Sequence, residues 1–211
     1  MKKDIKPRII LSVFVILLGL IIAAVPDNTT KHFKLGPAEL LDAIKNGEQF
    51  VYPEQIADMI IKNDPSLILI DVRSPEAYEE YSLPGAINIP LDKILSDEWK
   101  DYVDQDVYFN VFYSNGSTIA NDAWLICRQL GYRNNFVMMG GLNYWVETIL
   151  NPSAPSSTSP NDEFAKYDFR KAAGGALGGG GGILQKSETK TKVRKPIIKR
   201  GKKKMIQGGC S

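Results

Sequence analysis

The chain opens with the basic octet MKKDIKPR and passes into IILSVFVILLGLIIAAV, an apolar run from Ile9 to Val25 with no polar face. At a rise of about 1.5 Å per residue this run reaches roughly 26 Å, slightly short of a hydrocarbon core of about 30 Å. From Pro37 to about Leu150 the pattern is different: short apolar runs alternate with amphipathic stretches. PAELLDAIKN (Pro37 to Asn46) and PEQIADMIIKN (Pro53 to Asn63) each start on proline with an acid close behind and stop at asparagine, the signals of short helices. LILIDV (Leu67 to Val72) is continuously apolar up to its aspartate, as suits a strand covered on both faces. After it come a helical SPEAYEEY, a short strand AINIP, a helical LDKILSDEW, the strand VYFNVFY, the helix that follows SNGST, the strand NNFVMM, and a last helix from Leu142 to about Ile149. Strands that alternate with helices predict a small parallel sheet with helices on both faces, an α/β fold.

Beyond Asn151 the composition shifts to NPSAPSSTSPND, then FAKYDFRKAA, then GGALGGGGG. A glycine run of this kind buries too little surface to offset its ordering entropy, so disorder is expected there. The predicted organisation is a basic segment 1–8, a transmembrane anchor or signal peptide at 9–25, a connector 26–36, a globular domain 37–150, a Pro/Ser and Gly-rich linker 151–183 and a basic disordered tail 184–211. Lys2, Lys3, Lys6 and Arg8 favour an N-terminus left in the cytoplasm. The domain would then lie on the extracytoplasmic side of a membrane, periplasmic in a Gram-negative cell. Ile22, Ala23 and Ala24 offer a cleavage site, awkward because of Pro26, and cleavage would give a secreted protein. A buried core helix is the third reading, disfavoured by the lack of a polar face.

Charge and candidate nucleophiles narrow the chemistry. From Lys186 onward ten Lys and Arg residues face the single acid Glu188, although the whole chain carries a formal charge of only +2. A solvated basic tail on an acidic domain follows, which argues against a nucleic-acid-binding fold. The tail could meet anionic lipid headgroups, nucleic acid, an acidic partner or solvent alone. The lone His32 precedes the domain, so a histidine general base inside it is excluded. Cys127 and Cys210 have no metal-ligand spacing, and no metal or cofactor is called for. Cys127 falls with Ala123, Ile126 and Leu130 on one apolar helical face, the position of a core side chain. Cys210, in GGCS at the end of the chain, is expected to be exposed.

Four motifs, LIDVR (Leu69 to Arg73), LPGAINIP (Leu83 to Pro90), the strand-loop-helix from Val111, and Gly140-Gly141-Leu142 with Trp145, together resemble the rhodanese homology domain over approximately Tyr52 to Ile149. The resemblance implies a parallel sheet of about five strands. It also implies a site: a cysteine at the end of the strand VYFNVFY that accepts sulfane sulfur, in a loop of N–H groups, with an arginine five residues later for the anionic donor. A thiolate needs such an electropositive pocket to stay ionised. Here the cysteine position is Ser114, the arginine position is Ile119, and the histidine that often stands two residues before Pro-Gly is Ser82. Serine cannot carry sulfane sulfur, and as a nucleophile it needs an adjacent base.

The loop Ser114, Asn115, Gly116, Ser117, Thr118 and Ile119 keeps its hydroxyls and backbone donors, with Asp71 and Arg73 as supporting residues. It is therefore read either as a binding loop for a small anion or a protein partner, or as a structural turn. The resulting expectation is a membrane-tethered, rhodanese-like pseudoenzyme acting as a binding or scaffold module. The alternative is a sulfurtransferase or persulfide carrier whose thiol comes from Cys210 or a partner.

Overall fold

The structure is a computed structural model, and it describes residues 7–24 and 34–178. The cysteine at 210, the histidine at 32 and the basic tail lie outside the described residues. Helix α1 runs Pro7–Ala23. Then follow α2 (Pro37–Asn46), strand β1 (Phe50–Val51), α3 (Pro53–Ile61), β2 (Leu67–Asp71), α4 (Pro75–Glu80) and β3 (Ile87–Asn88). A 3-10 turn (Leu91–Lys93) leads to α5 (Lys100–Val103), β4 (Phe109–Tyr113), α6 (Thr118–Gln129), β5 (Asn135–Met138) and α7 (Gly141–Trp145). A π turn (Val146–Leu150) and helix α8 (Asn161–Ala176) complete the order.

The five strands form one parallel sheet in the order β1-β5-β4-β2-β3. Period-two alternation sends neighbouring residues of each central strand to opposite faces. Ile70 and Phe112 join α2, α5 and α6 in one core, where Ala43, Val103, Ala123, Trp124 and Cys127 meet. Leu69, Val111 and Tyr113 face α3, α7 and α8, where Ile56, Trp145, Ile149 and Ala173 meet. The chain leaves β2 toward β3 at one edge and leaves β4 toward β5 on the other side. The carboxyl ends of β2 and β4 thus flank the switch point, where open α/β sheets form their crevice.

Local chemistry explains several boundaries. Pro37 and Pro53 stand at the first position of their helices, and Gly47 closes α2 in the left-handed region at φ 67°. The expected strand VYFNVFY is shorter at its start because Gln105 Oε1 accepts the Val107 and Tyr108 N–H groups at 2.7 Å each, taking them out of the ladder. The expected helix LDKILSDEW is reduced to a single 3-10 turn, since the Ser96 N–H and hydroxyl both turn back to Lys93 O, at 2.9 and 2.8 Å. Strand β1 was not foreseen. Its two residues pair with Val137 and Met138 of β5, and that pairing creates the strand.

One larger correction concerns the C-terminal end. The stretch 151–183, expected as a linker, contains the 16-residue helix α8, which packs on α3 and the π turn. The transmembrane segment expected at 9–25 is not shown. Helix α1 has 17 residues, and among the described residues no helix is long and apolar enough to cross a membrane.

Candidate functional site

Ser114 follows β4 directly, and its side chain is buried, with 1% exposure. Its Oγ donates to Gly116 O at 2.6 Å, so the hydroxyl proton is held inside the loop. Ser117 Oγ accepts the Gly140 N–H at 2.8 Å. Two further bonds fix the loop from below: Leu142 N–H donates to Ser114 O and Asn143 N–H to Asn115 O, both at 2.9 Å. Gly141, at φ +60°, lies so close that a Cβ there would stand 2.5 Å from Ser114 O and 2.6 Å from Gly116 O. Gly140-Gly141 is therefore the floor of the loop. The sequence displayed the pair without displaying this contact.

The supporting pair sits at the end of β2. Asp71 is fully buried and receives Arg73 Nε at 3.0 and 3.1 Å and Arg73 Nη2 at 2.6 Å. The same guanidinium donates to Tyr81 O at 2.5 Å and, through Nη1, to Asn115 Oδ1 at 3.0 Å. Burial works to lower the Arg73 pKa, but the hydrogen bonds and charge of Asp71 outweigh it and hold the group cationic. Arg73 thus joins the end of β2, the approach to Pro84-Gly85 and the loop itself. Tyr113, missed in the sequence, packs beneath: its OH accepts the Leu83 N–H at 3.2 Å. Burial and the Asp71 charge push its phenol well above the ordinary value.

The mouth of the loop is neutral. Ile119, in the first turn of α6, is 45% exposed, and Asn115 and Thr118 are exposed as well. The Arg73 charge is turned inward to Asp71. The backbone N–H groups of Asn115, Gly116, Ser117, Thr118 and Ile119 have no acceptor among the described residues. Five free donors in the loop and first turn of a 12-residue helix form a place where an acceptor can sit. Ser82 is not part of this cluster; it lies beside the Tyr78 phenol, which donates to Ala86 O at 2.7 Å.

Sulfur chemistry requires an ionisable thiol, and the loop has none. Ser114 Oγ has no base within hydrogen-bond reach among the described residues, since its bond goes to a carbonyl. Cys127 is buried against the sheet, and burial, with the Asp104 charge adding to it, pushes its thiol up to about 12. It stays a neutral core side chain, as its helical face predicted. Among the described residues no group of His, Cys, Asp and Glu could hold a metal ion.

The family model described as a rhodanese-like domain matches residues 52–148. Residues 52–148 are a rhodanese-like domain. Similar proteins include the thiosulfate:glutathione sulfurtransferase of Saccharomyces cerevisiae, 26% identical over 103 residues, 44% of this chain and 74% of that protein. The adenylyltransferase and sulfurtransferase UBA4 of Scheffersomyces stipitis is 29% identical over 118 residues, 51% of this chain. The chain spans about a quarter of that relative's length, 26%. The solved structure of the human single domain sulfurtransferase TSTD1 is 22% identical, with a TM-score of 0.40, covering 50% of this chain and 98% of that one. The two relatives matched in sequence, both sulfurtransferases by name, are distant homologues of this domain.

Proposed function

We propose that this rhodanese-like domain is a binding module that has lost sulfur transfer at its loop. The observation that carries the reading is Ser114: a buried hydroxyl, engaged on Gly116 O, occupies the position the family resemblance assigns to the sulfur-accepting thiol. Sulfane sulfur bonds to a thiolate, and an alcohol with no base nearby has no route to that bond. Ile119 supports the same reading, because an exposed aliphatic side chain at the mouth offers no charge to an anionic donor. The five free N–H groups support retained binding of an acceptor, either a small anion or a protein segment.

The N-terminal helix is the proposed attachment to a membrane, with the domain on the extracytoplasmic side. Leu11, Phe14, Leu18 and Ile22 of α1 are all exposed, and nothing else in the described residues covers them. At 17 residues, about 26 Å, it would span a locally thinned bilayer. Flotation of the full chain with lipid vesicles, lost on removal of residues 1–25, is the expected result. Failure to float removes this part of the reading.

The central part is tested by incubating the full chain with thiosulfate and cyanide. No thiocyanate above background is expected. Turnover that disappears in Ser114→Ala would defeat the reading. A second reading, a persulfide carrier using Cys210 or a partner's thiol, is favoured by the sulfurtransferase names of the relatives. Its intramolecular form requires a mass gain of one sulfur on Cys210 after treatment with a sulfane donor.

A further inference from the structure

Helix α8 lies outside residues 52–148, yet one short rod joins it to the Ser114 loop. Residues 141–150 run without a break through α7 and the π turn. The N-terminal end of this rod grips the loop through the Leu142 and Asn143 N–H bonds and through the close approach of Gly141 to Ser114 O and Gly116 O. Its C-terminal end abuts α8, where a Cβ on Gly174 would stand 2.2 Å from Ile149 O. Both ends therefore rest on a glycine–carbonyl contact with no slack.

A packed body clamped at both ends has few intermediate positions, so displacement at one end is felt at the other. The π turn is where such a rod can change register. There Val146 O accepts the Asn151 N–H at 2.8 Å, and Thr148 Oγ1 donates to Tyr144 O at 2.6 Å. Helix α8 itself is reached through the Pro/Ser stretch 152–160, which contains no helix or strand. Its seat is its docked face: Ala173 and Gly174 on the π turn, and Arg170, which donates to Glu54 Oε1 of α3 through Nε at 2.8 Å and through Nη2.

We propose that α8 is a strap that sets the loop: seated, it holds the rod 141–150 in the register that clamps the carbonyls of Ser114 and Asn115. Unseated, it releases the clamp and alters the spacing of the loop's free N–H groups. This device goes beyond the binding reading above, and it stands on the domain's own contacts whatever the loop binds.

Backbone amide exchange on the full chain tests it. In Gly174→Ala the new methyl collides with Ile149 O and unseats α8. The amides of α8 and those of Leu142 and Asn143 then exchange together, at least about tenfold faster, while Val111 and Phe112 of β4 keep their protection. Gly175→Ala is the control, since its Cβ would meet nothing within 4 Å, and it leaves the Leu142 and Asn143 amides no faster while α8 exchanges at its original rate or more slowly. Arg170→Ala unseats α8 from the other side and reproduces the Gly174→Ala pattern. The proposal is overturned if α8 exchanges faster while Leu142 and Asn143 stay protected. Acceleration spread evenly over the sheet, or α8 still protected in both Gly174→Ala and Arg170→Ala, also overturns it.

Discussion

Replacing Gly141 by alanine tests the floor of the loop quantitatively. At φ +60° a side chain is strained by about 1–2 kcal/mol before any contact is counted. The methyl would also stand 2.5 Å from Ser114 O and 2.6 Å from Gly116 O, both backbone atoms, so loop and rod must separate. Separation sacrifices the Leu142–Ser114 and Asn143–Asn115 hydrogen bonds, each worth about 1 kcal/mol. The expected loss is about 3–4 kcal/mol, a large fraction of the stability of a small domain. Gly85 supplies the comparison. It has a similar φ of +77° but nothing within 4 Å of a Cβ, so Gly85→Ala should lose only the backbone part, about 1–2 kcal/mol. Equilibrium urea unfolding of the two variants measures the difference. Equal losses would refute the close-contact reasoning.

Two further outcomes follow from the buried groups. Asp71→Asn leaves the Arg73 guanidinium, whose side chain is only 9% exposed, without its counter-charge, and should lose about 3–5 kcal/mol in urea unfolding; a loss under about 1 kcal/mol would show the pair to be solvated. Cys127 carries a thiol raised in the fold to about 12, above the roughly 8.5 of an unfolded chain, so its contribution is fully present below pH 8.5 and is lost as pH climbs toward 12. Wild type should therefore lose stability relative to Cys127→Ala across that window, by up to about 1.4 kcal/mol per pH unit, and parallel pH profiles would contradict the assignment.

What the sequence made legible follows the reach of each signal. The helices α2 and α3 were readable because Pro37 and Pro53 act on their own first turns. The loop after β4 was readable because an apolar strand, SNGST and an amphipathic helix are contiguous. Strand β1 was not, since two residues carry no periodicity and β5 imposes their conformation. Helix α8 was hidden by its own docking device. Gly174 and Gly175 read as flexible chain, yet Gly174 is the residue that lets the helix approach Ile149 O. The Arg73–Asn115 bond spans 42 residues and has no local trace. Ser82 was placed in the site by its motif, but the packing of α4 sets it beside Tyr78.

The claim that the domain offers no atom able to take up sulfane sulfur is tested most directly by mass spectrometry of the full chain after exposure to a sulfane donor. The comparison is between the natural chain and Cys210→Ser. With Ser114 an alcohol and the Cys127 thiol buried and neutral, any added sulfur should vanish in Cys210→Ser. Sulfur retained by that variant, mapped to residues 34–178, would contradict the account.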